Sequence, residues 1–231
     1  RNDATMRWVT KTTFMERIVA GGRKTTHYSA VDISNLPDII IGAERALKCT
    51  DEPELLRLIR DYGLTMEMVP TQSHKSPKVW EALLGPMQPM AMIRSLGRMS
   101  AVGLLAPFSD ASNLISRRLE DSDLLRRARV HPIQVLSALL TYKQGKGQRG
   151  KLSWTPVPQI IDALDAAFYL AFENIEPTKK RFYLGVDVSG SMATGTVAGC
   201  VGLTPNMGAA AMAMLIARTE TSRAASTFTR T

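Results

Sequence analysis

The sequence predicts a mostly helical chain that ends in the beginning of a doubly wound α/β domain. From about residue 36 to residue 175, apolar residues recur at helical spacing between breaks of Pro, Gly and Ser/Thr/Asp. The uncharged apolar run from Phe182 to Val186 then predicts a short buried strand, because polar or Gly residues bound it on both sides. A Gly-rich loop, an apolar helix pattern and a second strand pattern follow it.

The helical part consists of short segments with recognisable start and stop signals. EPELLRLIRDYG ends at Gly63, and SPKVWEALLG offers Ser76 as N-cap, Pro77 in the first turn and Gly85 as a stop. TPVPQIIDALDAAFYLAFENI is the longest and most apolar pattern, which predicts a helix at the centre of the packing. Such a series fits an irregular helical-repeat solenoid, and a compact helical bundle is the alternative. The remaining segments are LPDIIIGAERALKC, MIRSLGRM, SDASNLISRRLE, SDLLRRARV and HPIQVLSALLTYK.

The polar, basic segment NIEPTKKR (174–181) predicts a domain boundary, with helices over 1–178 and an α/β segment over 179–231. After the strand, TPNMGAAAMAMLIART has Thr204 as its expected N-cap and Pro205 at the first helical position. This helix is apolar almost all round, which predicts burial on several sides. SRAASTFTRT follows as the second strand. The order strand, loop, helix, strand is that of the beginning of a doubly wound sheet.

The composition excludes several classes of protein. With 45% hydrophobic and 22% charged residues, the 231-residue chain is globular material rather than disordered. No apolar run approaches the roughly 18 to 20 residues of a membrane span, so we expect no membrane partner. The N-terminus has neither an initiator Met nor the apolar core of a signal peptide, which indicates a fragment or a processed chain. Cys49 and Cys200 form no ligand cluster, so we expect a cytoplasmic protein without disulfides or zinc.

Asp187, Ser189 and Ser191 follow the predicted strand at alternate positions. At the carboxyl end of a strand they can project into the crevice where α/β folds bind ligands. One carboxylate and two hydroxyls are hard oxygen donors that suit a hydrated divalent cation, which we expect to be Mg²⁺. A polar turn capped by Asp187 is the structural alternative. A hydrolase using Asp187 or Ser191 fits worse, because no histidine or Gly-x-Ser-x-Gly elbow is placed nearby.

Positive charge is concentrated in one segment of a chain whose net charge is +8. Between Arg117 and Lys151, nine basic residues face three acidic ones, which gives this segment a balance of +6. A Gly-rich basic loop flanked by Tyr142 and Trp154 can follow a phosphate backbone while an aromatic ring stacks on a base. A solvated loop after a helix C-terminus is the alternative, and the two aromatic residues are common packing residues. The candidate RNA-binding residues are Arg126, Arg127, Arg129, His131, Lys143, Lys146, Arg149 and Lys151.

Several of these segments resemble the TROVE-module proteins, the family of the Ro (SS-A) autoantigen and its bacterial relatives. The similarity runs in order from Lys78 to Glu220, and it is most specific in the basic segment and in GVDVSGSM. The similar segments are KVWEALL, LGRMSA, LLRRARVHPIQVLSALLTYKQGKGQRGKLSW, ALDAAFY and EPTKKRFYLGVDVSGSM.

The resemblance implies a ring of HEAT-like helical repeats closed by a von Willebrand factor A-type domain. This sequence would then supply the C-terminal repeats and the start of the A domain. The resemblance also implies an RNA-binding scaffold in RNA quality control rather than an enzyme. Such proteins bind small noncoding Y RNAs on the outer surface and thread single-stranded 3′ ends of misfolded RNAs through a basic central hole. The N-terminal repeats that carry much of the Y RNA surface are not in this sequence.

Asp187, Ser189 and Ser191 match the family's metal-ion-dependent adhesion motif. The resemblance implies that this site binds a divalent cation and accepts an acidic ligand from a protein partner, such as an exoribonuclease. A Thr and a second Asp from later loops complete the family's ion site, and the sequence ends before those loops. Two hypotheses therefore stand together: an RNA-binding scaffold, and a metal-dependent protein-binding module of adhesion type.

Overall fold

The structure of the chain is a computed structural model, which describes residues 37–147, 151–197, 200 and 202–229. Short α-helices make up most of these residues, and two parallel strands lie near the C-terminal end. This element order confirms the predicted fold class, a mostly helical chain that continues into the start of an α/β domain. The chain divides into two compact units, of which the first ends at Met87 and the second begins at Gln88.

The first unit contains the helices α1 Asp38–Lys48, α2 Glu52–Tyr62 and α3 Pro77–Leu84, with 3₁₀ turns at Met66–Met68 and Thr71–Lys75. Helix α2 packs against both α1 and α3. As predicted, α2 ends at Gly63, which lies in the left-handed region with φ 61°. At the start of α2 the Asp51 carboxylate accepts a hydrogen bond from the Glu54 amide at 3.0 Å, a cap that was not predicted. Ser76 precedes α3 as predicted, but its side chain makes no capping hydrogen bond.

The second unit contains the helices α4 Pro89–Ala101, α5 Asp110–Leu119, α6 Ser122–Arg127, α7 Pro132–Lys143 and α8 Pro158–Leu170, followed by a 3₁₀ turn at Ala171–Asn174. Helix α8 lies at the centre of these helices, as predicted, and contacts α5, α6 and α7. Its inner face buries Ile160, Leu164 and Phe168, while Leu96 of α4 and Ile115 of α5 are fully buried as well.

The α/β segment consists of β1 Phe182–Asp187, a 3₁₀ turn at Gly190–Ala193, α9 Pro205–Thr219 and β2 Arg223–Phe228. The two strands are parallel and are joined through α9. Phe182 of β1 lies opposite Arg223 of β2, and Asp187 at the end of β1 lies opposite Phe228. The helix contacts both strands and the short turn after β1.

The prediction that β1 and α9 are buried on several sides is wrong for the described residues. Tyr183 of β1 is 74% exposed, β2 is exposed along its whole length, and in α9 only Ala211 is buried. The physical reason is that two strands and one helix offer too little surface to cover both faces of a sheet. The apolar pattern therefore indicates faces that this part of the chain leaves uncovered.

Polar contacts hold the α/β segment to the helices before it. The Glu220 carboxylate accepts hydrogen bonds from the Thr178 amide and hydroxyl, both at 2.7 Å, and from the Lys179 amide at 3.1 Å. The Arg218 guanidinium lies over the rings of Tyr169 and Phe172, 5.1 and 5.5 Å from their centroids. These residues all belong to the second unit, so the predicted boundary after residue 178 stays a prediction. Among the described helices, none has the length and apolar character needed to cross a membrane.

Candidate functional site

The predicted RNA-binding residues are exposed wherever the structure describes them. Seven of the eight fall in the described ranges, and Arg149 lies outside them, in the gap at 148–150. The seven form two groups at opposite ends of α7. We call Arg126, Arg127, Arg129 and His131 the junction cluster, and Lys143, Lys146 and Lys151 the hairpin cluster.

The junction cluster lies between the end of α6 and the start of α7. Arg126 pairs with Asp123 one turn earlier, and Arg129 occupies the left-handed region with φ 50°. His131 is the N-cap of α7, where its Nδ1 accepts a hydrogen bond from the Ile133 amide at 3.2 Å. His131 therefore has a structural role as well as an exposed position.

The hairpin cluster lies at the end of α7, which carries Lys143, and in the antiparallel hairpin after it, which the structure describes at residues 144–147 and 151–154. Lys146 pairs with Ser153, and the Trp154 amide donates to the Gly145 carbonyl at 2.8 Å. Gly145 has φ 67°, and a Cβ at this position would lie 2.7 Å from the Trp154 carbonyl oxygen. Only glycine fits this close approach, so the sequence of the turn positions the cluster.

The structure does not bring the two clusters together. α7 has 12 residues, so at about 1.5 Å per residue the clusters lie roughly 18 Å apart. That distance exceeds the screening length of about 8 to 10 Å at physiological salt. A polyanion must therefore extend along α7 to contact both clusters.

Of the two alternatives for Tyr142, the structure supports packing and not stacking on a base. Tyr142 is 2% exposed, and its hydroxyl is hydrogen-bonded to the Ser100 hydroxyl at 2.8 Å and accepts from the Val157 amide at 3.2 Å. Burial raises the pKa of this hydroxyl more than the hydrogen bonds with Ser100 and Val157 lower it. Trp154 is half-buried, with its Nε1 donating to the Tyr142 carbonyl at 3.1 Å and its ring 6.0 Å from that of Tyr142. Both residues anchor the hairpin.

Asp187, the last residue of β1, lies close to Ser189 and Ser191 in the turn that follows the strand. The Asp187 Oδ1 accepts a hydrogen bond from the Ser189 amide at 2.9 Å, and the hydroxyls of Ser189 and Ser191 lie 3.1 Å apart. The Ser189 amide and hydroxyl lower the pKa of Asp187, so this side chain is a carboxylate at neutral pH. Ser189 is buried, Asp187 is partly exposed and Ser191 is exposed.

This turn has the donor chemistry of a hydrated magnesium site. One carboxylate and two hydroxyl oxygens within a single turn suit a cation that keeps several water ligands. Within the described ranges, no group of three or more His, Cys, Asp and Glu side chains could hold a metal. At this turn Asp187 would supply a charged ligand, with Ser189 and Ser191 as neutral ligands.

Beside the hairpin lies a feature that sequence analysis missed. An open groove of about 560 Å³ is bounded by the end of α4, the loop after it and the strand leaving the hairpin. Phe108 follows this loop with 84% of its surface exposed and φ 61°. The sequence signal that could have indicated this feature is an aromatic residue, Phe108, within the turn-like segment PFSD.

Two family models match the chain from residue 61 onwards. The model of the TROVE domain matches residues 61–140 and 139–180, and the model of the Ro60 vWA domain matches residues 181–231.

Curated proteins with similar sequences cover most of the chain. It is 42% identical over 183 residues to the RNA-binding protein RO60 of Deinococcus radiodurans, which covers 79% of this chain and 34% of that protein. It is 46% identical over 144 residues to the RNA-binding protein RO60 of Caenorhabditis elegans, and this match covers 62% of this chain and 22% of that protein. The chain thus spans about a third or less of the length of these relatives.

A solved structure has the same fold. The crystal structure of the Ro (RSR) protein of Deinococcus radiodurans matches with a TM-score of 0.82 and 33% identity, over 99% of this chain and 50% of that one.

Proposed function

Because this chain belongs to the TROVE-domain family, we propose that it is an RNA-binding scaffold rather than an enzyme. The similar curated proteins of Deinococcus radiodurans and Caenorhabditis elegans bear the name RNA-binding protein, which supports the proposal. The RNAs are small noncoding RNAs of the Y type and misfolded RNAs with single-stranded ends, bound in cytoplasmic RNA quality control. The two basic clusters supply contacts to the phosphate backbone.

The uncompensated charge of the hairpin cluster is the observation that carries this proposal. Lys143, Lys146 and Lys151 are exposed, and none of them is paired with an acidic side chain among the described residues. Cations that are already paired must lose a partner before they bind phosphate, whereas these three need not. Binding of phosphates by such residues releases counterions from the RNA, which makes the affinity strongly salt-dependent.

The test is binding of the chain to an RNA hairpin with a single-stranded 3′ tail, across a salt series. The same hairpin without the tail is the comparison. In the variant Lys143→Ala/Lys146→Ala/Lys151→Ala, we expect weaker binding and a slope of log K against log salt that is smaller by about 2 to 3, since three phosphate contacts are lost. We expect the tail to strengthen binding in the unaltered chain and to matter less in the variant.

The matched control is Lys75→Ala/Lys78→Ala/Lys180→Ala, which removes the same charge from other exposed lysines that are not paired with an acidic side chain among the described residues. If both triple variants bind with the same affinity and salt slope, the hairpin cluster is not the RNA surface. Equal binding to RNA and to an uncharged polymer would reject RNA binding itself.

A second function, metal-dependent capture of a protein, is favoured by the turn after β1. The close approach of Asp187, Ser189 and Ser191 supports a divalent-cation site, and Mg²⁺ is the ion that fits the donors. The open coordination positions of such an ion would accept an acidic side chain from a partner protein, for example an exoribonuclease.

Calorimetric titration with Mg²⁺ tests this second function. We expect Asp187→Asn to abolish binding, because it removes the only charged ligand, while RNA affinity stays within about twofold of the unaltered chain. Asp165→Asn, at an exposed position of α8, is the control with the same change of charge. If Asp187→Asn still binds Mg²⁺, the ion binds elsewhere and the proposed site is rejected. If Asp187→Asn loses RNA binding together with Mg²⁺ binding, the two functions share one site and are not separate.

A further inference from the structure

Phe108 is held in a strained conformation by a closed set of hydrogen bonds. Its amide donates to the Gln159 Oε1 at 3.4 Å, the Gln159 Nε2 donates to the Asn113 Oδ1 at 2.8 Å, and the Asn113 Nδ2 donates to the Phe108 carbonyl at 3.3 Å. A left-handed φ is rare for a bulky residue and persists where surrounding contacts fix it. Side chains from the first turn of α5 and the first turn of α8 thus fix the backbone of this one residue.

Packing does not explain this arrangement. The Phe108 side chain is 84% exposed, so the fixed backbone presents an aromatic ring to solvent instead of burying it. Exposed aromatic rings on a rigid backbone are the usual surfaces on which proteins stack unpaired bases. The conformation is therefore that of a presented ring rather than of a core residue.

The groove next to Phe108 has room and chemistry for a base. Pro107, the residue before Phe108, forms part of its wall together with Leu105 and the half-buried Trp154. The hydroxyls of Ser153 and Thr155 add polar groups for base edges. None of the described residues that line the groove is charged, so these walls suit a neutral aromatic ring rather than a phosphate.

The charges needed for the backbone of the same ligand lie directly beside the groove. Ser153, which lines the groove, is paired across the hairpin with Lys146, and Lys151 is two residues earlier. Both lysines are exposed. Cations along one side of an apolar groove match the layout of single-stranded RNA, with phosphates on one edge and bases on the other.

We propose that Phe108 and this groove bind unpaired bases of single-stranded RNA, with Phe108 stacking on one base, the groove holding its neighbour, and the phosphates on Lys146 and Lys151. This inference rests on the proposed RNA-binding function and adds to it a site that contacts bases. An apolar side chain of a protein is the other occupant that such a groove could take, and the test separates the two.

The test compares binding of a short unstructured oligoribonucleotide with that of an abasic ribose-phosphate oligomer of equal length. We expect the unaltered chain to prefer the RNA, and Phe108→Ala to weaken RNA binding roughly 5- to 150-fold while leaving abasic binding unchanged. Phe108→Tyr keeps the ring and should restore binding. Thr155→Phe, at an exposed position that lines the groove, should fill it and weaken RNA binding alone.

Tyr183→Ala removes another exposed aromatic residue and is the control. If the unaltered chain and Phe108→Ala bind the RNA equally, the stacking site is rejected, and a protein side chain becomes the better occupant of the groove. Salt-dependent binding of both oligomers would in that case leave the proposed function intact. If neither oligomer binds with a salt dependence, the RNA-binding function itself fails, and this inference fails with it.

Discussion

At the scale of single residues, Glu220 fixes the junction between the helices and the α/β segment. Its buried carboxylate receives three hydrogen bonds from Thr178 and Lys179. Burial raises the pKa of this carboxyl, but the hydrogen bonds outweigh that effect, so the pKa lies below its ordinary value of 4.5. A carboxyl whose pKa is lower in the folded than in the unfolded chain stabilises the fold when ionised.

The sign of this effect predicts a pH dependence. The contribution of Glu220 is fully present above pH 4.5 and is lost as the pH falls through the lower pKa of the folded chain. In Glu220→Gln, we expect a lower unfolding midpoint in urea at pH 7, because an amide group would face the donors of Thr178 and Lys179. We also expect the unfolding midpoint of Glu220→Gln to fall less than that of the unaltered chain between pH 5 and pH 3, because the variant lacks the carboxylate whose protonation destabilises the fold.

Glu173→Gln is the control for Glu220→Gln, because Glu173 is exposed and the change of charge is the same. If both variants unfold at the same urea concentration at pH 7 and show the same pH profile, the Glu220 hydrogen bonds do not stabilise the fold.

At the scale of elements, the hairpin after α7 depends on the conformation of Gly145. In Gly145→Ala, the left-handed backbone costs about 1 to 2 kcal/mol, and the new methyl group would collide with the Trp154 carbonyl. We expect lower stability in urea and weaker RNA binding, because the shift of Trp154 also displaces Lys146 and Lys151.

Gly85→Ala is the matched substitution for this element. Gly85 has φ −52°, which any residue can adopt, and a Cβ added there would lie 3.8 Å from its nearest neighbour, the Ala82 carbonyl oxygen. We therefore expect no loss of stability. Equal stability and equal RNA affinity of the two alanine variants would show that the hairpin does not need its glycine.

At the scale of the whole molecule, local signals in the sequence were enough to predict the order of elements. Gly63 acts within the last turn of α2, and the alternate positions of Asp187, Ser189 and Ser191 keep these residues within one short stretch of the chain. The exposure of the basic residues also follows from local sequence, because unpaired lysines and arginines rarely lie in a core.

Features that depend on contacts between distant residues could not be predicted. The environment of Tyr142 depends on Ser100, 42 residues away, and that of Phe108 depends on Gln159, 51 residues away. The prediction that β1 and α9 are buried was wrong because an apolar pattern indicates which faces are hydrophobic. It does not indicate which other residues cover those faces. Thr204 precedes α9 as predicted, but its hydroxyl donates to Asn206 instead of capping a helix amide.

If the two basic clusters bind RNA as proposed, the α-helix between them makes the chain a bivalent ligand for RNA. A rigid spacer of roughly 18 Å turns contact at the second cluster into an intramolecular event once the first is bound. Strands long enough to extend along α7 gain avidity from the high effective concentration of the second site, while shorter ones bind at one end and dissociate quickly. Selection by length then follows from the helix itself, without recognition of any base sequence.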